Sequence, residues 1–285
     1  MVQRMQALRS QESLAICKSQ LSLPNIFISI MPLTLTSLSG IPLIRHGDNL
    51  ADIVLNTLQE NKITLEDNDI LVFAQKIVSK SEGRAINLAT IMPSPHATEL
   101  ATLTEKDARL VELILQESNE VLRTRLGTII VEHKLGFVCA NAGIDHSNVA
   151  GVGNTTEEWV LLLPAEPDHS AETIRHEIES KTSKQVGILI IDSHGRAWRN
   201  GTVGVAIGIA GLPGLHDLRG QSDLFGFTLR ITQVGVADEL AAAASLMMGQ
   251  AAEGTPVIHA RGFPYSLRDG SLKELIRPKE QDLFR

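Results

Sequence analysis

Aromatic residues make up only 4% of the 285 positions, so any core this chain builds must be aliphatic. There are two cysteines, Cys17 and Cys139. They have neither metal-knuckle spacing nor the number needed for a disulfide framework, which fits a reducing, cytoplasmic compartment. No apolar run reaches the roughly 18 residues of a membrane-spanning helix. Basic excess is also missing. A net charge of -7 argues against a nucleic-acid surface, which needs clustered Lys and Arg, while leaving room for a local phosphate pocket. Neither a Walker A loop nor a dinucleotide G-x-G-x-x-G pattern occurs, so any nucleotide is bound without those fingerprints. No internal repeat is visible.

What is there is an ordinary globular composition, 43% hydrophobic and 21% charged, enough for one large domain or two of ordinary size. Residues 1–38 differ from the rest and read as a disordered extension. Their short, Pro-broken apolar run allows a signal peptide and the Arg, Ser and Gln content before it a targeting segment, but the reading we prefer is that translation begins at Met31, leaving residues 1–30 as the disordered extension. Order is expected from Ser39 onward.

Periodicity then places a helix capped by Asp48 or Asn49 and packed through Leu50, Ile53, Val54 and Leu58. A buried strand follows over Ile70–Ala74. Further on, the sequence predicts a helix opened at Thr104–Asp107 and running to about Leu122, and strands at 128–131 and 136–140. A strand over 159–163 and a helix from Ser170 to Lys181 come next, then a strand to Ile191. The glycine-spaced run 203–211 reads as a strand closely approached by another backbone or a ligand. Strands at 225–231 and 257–258 flank an Ala-rich helix over Asp238–Met248, and the tail from Lys273 reads as a short surface helix. Imperfect alternation of these elements predicts an α+β (mixed α/β) fold, with mixed sheets and flanking helices in two intertwined subdomains.

Two acids stand at the ends of apolar runs. Phe137–Ala140 breaks into a turn carrying Asn141, Asp145 and Asn148, and the run to Ile191 is followed directly by Asp192-Ser193-His194. Two acids at two strand tips suggest one shared cation site; each can equally be a turn residue satisfying local backbone. Lys76, Lys80 and Arg84 recur every four residues and on a helix share one face, either holding phosphates or facing water. Aspartate, hydroxyl and amide oxygens are hard ligands suited to Mg2+ or Mn2+ rather than zinc. A Ser-His hydrolase reading is set aside, because adjacent residues do not form a converging triad and no nucleophile elbow is present. His146 and His194 are read as loop histidines.

Six runs in order carry a resemblance. They are Gly40-Ile41-Pro42-Leu43-Ile44, residues 77–84 (IVSKSEGR), residues 141–148 (NAGIDHSN), residues 191–199 (IDSHGRAWR), residues 204–211 (GVAIGIAG) and residues 237–242 (ADELAA). Together with the tail 273–285, they make residues 39–285 resemble the coenzyme F420-0:L-glutamate ligase family. The resemblance implies a GTP-dependent ligase joining L-glutamate to a carboxylate of the deazaflavin coenzyme F420-0, with further glutamates in γ-linkage, through an acyl phosphate.

It implies nucleotide contacts at Ile41, Pro42, Leu43, Ile44, Gln75, Lys76, Lys80 and Asn148, and along Met248, Gly249, Gln250, Ala251, Ala252, Glu253, Gly254 and Thr255. It further implies metal ligands at Asp145, Asp192, Ser193 and Gln250, with Lys80 stabilising the transferred phosphoryl group. Gln250 departs from the acid that family members can carry. Mg2+ or Mn2+, K+ as a further cation, and a homodimer belong to the same implication. The chain ends without room for the flavin-binding domain that some bacterial relatives fuse. Another metal-dependent amide ligase or phosphotransferase, or a non-catalytic nucleotide-binding module, are the competing readings.

Overall fold

The computed structural model describes residues 32–146, 149 and 158–282. The readings made for residues 1–31 and for Asn148 lie outside the described residues. Residues 33–285 form one compact unit, built on a five-stranded sheet in the order β1-β12-β2-β8-β9.

The strands are β1 (Thr34–Ser37), β2 (Ile70–Ala74), β8 (Gly187–Arg196), β9 (Arg199–Ala210) and β12 (Val257–Arg261). β2 and β8 are parallel and the other pairs antiparallel. Ile70 and Val72 of β2 and Leu189 and Ile191 of β8 face one side, and the alternate residues Leu71, Phe73, Ile188 and Ile190 face the other. That period of two is what buries both faces of a central strand.

Helices cover each face. On one lie α1 (Leu50–Glu60) and α5 (Pro167–Thr182), through Leu50, Val54, Leu58, Ala171, Ile174 and Ile178. On the other lies α6 (Val236–Met248), through Ala237, Leu240, Ala241, Ala244 and Met248. Asn49 caps α1 by accepting from the Asp52 N–H at 2.9 Å, as its sequence suggests. The short α2 (Gln75–Ser81) leaves β2 directly.

A second subdomain is inserted between α2 and α5. It contains β3 (Ala85–Asn87) paired with β7 (Trp159–Leu161), and the meander β4 (Ser118–Arg125), β5 (Thr128–His133) and β6 (Val138–Ala140). Helices α3 (Pro95–Thr104) and α4 (Ala108–Gln116) complete it. Its own core gathers Leu88, Leu110, Ile114, Ile129, Val131 and Val160. The fold is α+β with mixed sheets, as the sequence predicts.

Several boundaries differ from the sequence reading. The first strand, Thr34–Ser37, precedes the expected start of order at Ser39, because its backbone pairs with β12. The helix expected from Thr104 to Leu122 is two helices and a strand. Thr104 ends α3, Glu105 turns left-handed, and Asp107 caps α4 by accepting from the Arg109 N–H. Past Gln116 the chain joins β5 as β4, where pairing overrides helical periodicity.

Helix α5 starts at Pro167, before the expected cap at Ser170, since proline suits a first helical turn. Residues 225–231 form no strand. They belong to an arm whose base is the short pair β10 (His216–Asp217) and β11 (Gln233–Val234), with Leu224, Phe225 and Ile231 exposed. The tail over the described residues holds two 3-10 turns, Leu272–Glu274 and Lys279–Gln281, rather than a helix.

Strand β9 is bulged opposite Ile190 and Ile191, so Ile207 and Gly208 face the same side. A Cβ on Gly208 would lie 2.5 Å from the Pro167 carbonyl oxygen, and one on Gly204 2.5 Å from that of Ala241. The glycine run is therefore a strand pressed by α5 on one face and α6 on the other.

Candidate active site

The C-terminal ends of the parallel strands β2 and β8, where Ala74 pairs with Ile191, open into a cleft of about 740 Å³. Ligands of α/β sheets settle outside such carboxyl ends. Five segments distant in sequence line it. Ile41, Pro42, Leu43 and Ile44 form one wall, with Ile44 anchored in the core and Leu43 exposed.

Helix α2 supplies Gln75, Lys76 and Lys80. The two lysines are a helical turn apart and share a face. Burial first, and the neighbouring Lys76 charge second, lower the pKa of Lys80. Arg84 does not join them. It lies past the helix end, donating to the Leu163 carbonyl at 2.8 Å and pairing with Glu117 at 2.7 Å. The four-residue spacing thus holds for two of its three members.

Asp145 reaches the cleft through a tight turn in which Asn141, Ala142 and Gly143 all have positive φ, at 51°, 52° and 65°. Its main chain is then fixed by reciprocal 2.9 Å hydrogen bonds with Leu161. Gln75 Nε2 donates to its Oδ2 at 2.7 Å, and Lys76 Nζ stands 3.3 Å from its Oδ1. Burial pushes the Asp145 carboxyl up to about 6; Lys76 opposes the shift and Asp192 adds to it. The two carboxylates therefore feel each other across one cleft.

Asp192 was expected in a turn. It lies inside β8, paired with Val205, and the turn comes at residues 197–198. His194 Nε2 is 3.0 Å from Asp192 Oδ2, near enough for an ion pair though off the axis of a hydrogen bond. Ser193 Oγ donates to Gln250 Oε1 at 2.9 Å, and Gln250 Nε2 donates to Ser245 Oγ at 3.0 Å. Ser245 thus turns the amide so that its oxygen faces Ser193.

The segment Met248–Thr255 closes the cleft as α6 ends. Gly249 turns the chain at φ 73°, and Thr255 Oγ1 donates back to the Met248 carbonyl at 3.2 Å. The Ala251 N–H donates to Glu253 Oε2 at 2.8 Å, and such backbone donors hold the Glu253 carboxyl below its usual range. Gln250, Ala251, Ala252, Glu253 and Gly254 all line the space.

The sequence model of the family described as F420-0:Gamma-glutamyl ligase matches residues 40–262. The chain belongs to the F420-0:gamma-glutamyl ligase family. A relative from Methanothermobacter thermautotrophicus, named coenzyme F420:L-glutamate ligase, is 48% identical over 257 residues, covering 90% of this chain and all of the relative. Relatives of the same name from Methanococcus maripaludis and Methanocaldococcus jannaschii are 47% and 44% identical over 247 residues, each covering 86% of this chain and 94% of the relative.

In this member of the F420-0:gamma-glutamyl ligase family, every described residue that the resemblance marks as nucleotide or metal contact lines this cleft, while Arg84 of the lysine-arginine spacing does not. Among the described residues no three His, Cys, Asp or Glu side chains gather around a point, so a zinc-type cage is not formed. The donors on hand are two carboxylates, a hydroxyl and an oriented amide oxygen. That set fits a hard divalent cation, and Asp145, whose carboxyl is pushed up by burial with a lesser push from Asp192, is a group whose charged form such a cation would favour.

Sequence reasoning missed Cys139, Thr202 and Ser245 in the lining and set His194 aside as a loop residue. Ser245 had a signal, the lone hydroxyl in an Ala-rich helix at a buried position. Cys139 is buried and its thiol is pushed up to about 12, first by burial and then by Asp192, which disfavours the thiolate form a nucleophile needs. No helix among the described residues is long and apolar enough to cross a membrane.

Proposed function

We propose that this chain is a GTP- and divalent-metal-dependent ligase that adds L-glutamate to coenzyme F420-0, and further γ-linked glutamates, through an acyl phosphate. The observation that carries the reading is the convergence of Ile41–Ile44, the α2 lysines, the two aspartates and Met248–Thr255 on one cleft. The names of its relatives supply the acceptor and the amino acid.

A carboxylate is a poor acyl donor because oxide is a poor leaving group. Transfer of the GTP γ-phosphoryl group to the acceptor carboxylate replaces it with phosphate, which the glutamate amine displaces with loss of a proton. Lys76 and Lys80, both in the lining, hold the polyphosphate, and Lys80 offsets the charge spread over the transferred group. Gln75 and Lys76 fix the Asp145 carboxylate, while Ser245 fixes Gln250 beside Ser193. Asp145, Asp192, Ser193 and Gln250 would hold Mg2+ or Mn2+, whose contribution when bound is neutralisation of phosphate charge. Ile41, Pro42 and Leu43 give the nucleotide an apolar wall.

A cytoplasmic homodimer belongs to the same reading, supported by the arm from His216 to Val234 that exposes Leu224, Phe225 and Ile231. Light scattering at several concentrations tests it; a monomer throughout would refute that part.

The ligase reading is tested by mass spectrometry of F420-0 incubated with the protein, L-glutamate, GTP and Mn2+. Species heavier by whole glutamyl units, with GDP released and nothing formed with ATP or after chelation, are expected. No mass change, with GTP and Mn2+ bound, would refute the ligase in favour of another acceptor or a binding module.

A further inference from the structure

Strands β8 and β9 continue beyond the sheet as a hairpin whose inner part, Asp192–Gly195 and Thr202, lines the cleft. At its tip two local choices work against stability. Trp198 sits in the turn with φ 62°, a left-handed conformation that glycine or asparagine adopts at lower cost, and its side chain is 89% exposed. Beside it, Arg196 and Arg199 face each other directly across the hairpin. Like charges opposite one another destabilise a strand pair. Among the described residues no carboxylate pairs with either; Arg196 donates to the Asn200 carbonyl at 3.1 Å.

An exposed indole and two cations held in unfavourable places, on the rim of a cleft in an otherwise acidic chain, make a surface for an aromatic anion. At roughly 3.3 Å per residue, Trp198 stands on the order of 20 Å along the strand from Asp192. A ligand reaching both must be long, aromatic at one end and reactive at the other.

We propose that Trp198, Arg196 and Arg199 form the platform that holds the deazaflavin end of the acceptor, while its carboxylate reaches along the hairpin into the cleft toward Lys76 and Lys80. This rests on the ligase reading for the identity of the acceptor. The indole stacks on the ring, and the guanidinium groups meet the acceptor's negative charge. With the nucleotide and glutamate assigned to the cleft by the ligase reading, the platform is expected to set acceptor affinity alone.

The chain's two tryptophans, Trp159 in β7 and Trp198, allow a direct test. F420-0 is titrated against tryptophan emission in the wild-type chain, Trp198→Ala, Trp198→Phe and the double variant Arg196→Ala/Arg199→Ala, alongside steady-state turnover. Trp198→Ala is expected to remove most of the quenching and to raise the acceptor KM tenfold or more, with the KM values for GTP and glutamate within twofold. Trp198→Phe is expected to restore most of the affinity. The arginine variant is expected to weaken F420-0 binding while melting no lower than wild type, since it removes the like-charge pair.

Turnover with unchanged acceptor KM in Trp198→Ala and in the arginine variant would overturn the platform and leave the ligase standing. Quenching through Trp198 without glutamate addition would support the platform and refute the ligase. Absence of both would overturn both.

Discussion

Gln75 joins Asp145 across 70 positions of sequence, its Nε2 donating to Oδ2 at 2.7 Å while its own Oε1 accepts from Ser79 Oγ at 2.9 Å. Gln75 is buried, and Ser79 leaves its amide only one orientation. Gln75→Ala removes the donor that aims the carboxylate. By analogy with groups that orient metal ligands, Mn2+ affinity or turnover should fall roughly 10- to 100-fold. Calorimetric Mn2+ titration checks it, and Ser79→Ala should give a smaller loss of the same kind.

Asp145 itself is held at a cost to the fold. Its carboxyl is raised from 3.8 to about 6, so the native state binds a proton more tightly than the unfolded chain does, and stability falls as pH rises through that window. Asp145→Asn should therefore melt higher than the wild-type chain in chelator above about pH 6, with the difference vanishing below pH 4. After discounting for partial exposure, the gain is on the order of 1–2 kcal/mol. The same variant should lose glutamate addition. A melting curve unchanged across that pH range would show that the carboxylate is not strained.

Asp69 behaves in the opposite sense. It is fully buried, accepts from Arg261 Nε and Nη2 at 2.8 and 2.7 Å, and has His259 Nε2 2.9 Å away. Burial pushes its carboxyl up, but Arg261 and then His259 outweigh burial and hold it well below the usual range. Its contribution is present above about pH 4 and is lost as pH falls further. Asp69→Ala leaves His259 without its carboxylate and Arg261 with only Glu66 and the Thr64 carbonyl, and should cost about 1–3 kcal/mol. Urea unfolding at pH 7 measures that loss, and the variant should lose the acid limb of the wild-type stability curve.

Gly204→Ala and Gly208→Ala test the two helix approaches. Each new Cβ would fall 2.5 Å from a carbonyl oxygen, which is backbone and cannot rotate away. Each substitution should destabilise by about 1–3 kcal/mol. Equal melting temperatures for variant and wild type would contradict the packing described.

Much of this was legible in the sequence for identifiable reasons. β2 and β8 announce themselves as unbroken apolar runs because both faces are covered, and Asn49 announces α1 by capping it. The cleft residues sit in runs whose order is kept from residue 40 to residue 255, so resemblance could find them. What stayed hidden depended on partners. β4 reads as helix until β5 lies beside it, and residues 225–231 alternate like a strand yet find only an isolated bridge, Thr228 to Ser222, within their own arm. The Arg84 spacing mimics a phosphate face, but the helix ends before it and Glu117 takes its guanidinium. Ser79–Gln75 and Ser245–Gln250 are side-chain couplings whose pairing the sequence does not announce, although Ser245 stands out as the lone hydroxyl of its helix.

The bulge in β9 has a consequence for how this strand can change. By letting Ile207 and Gly208 share a side, it shifts every residue before it onto the opposite phase from those after it. Gly204 thereby meets α6 and Gly208 meets α5, although four positions apart on a regular strand would share a face. Exchanging Ile207 for another aliphatic residue preserves that offset. Deleting it would leave the two glycines three positions apart on a regular strand, still on opposite faces, so the cost falls on the lost Ile207 packing and the local kink and not on the two helix contacts.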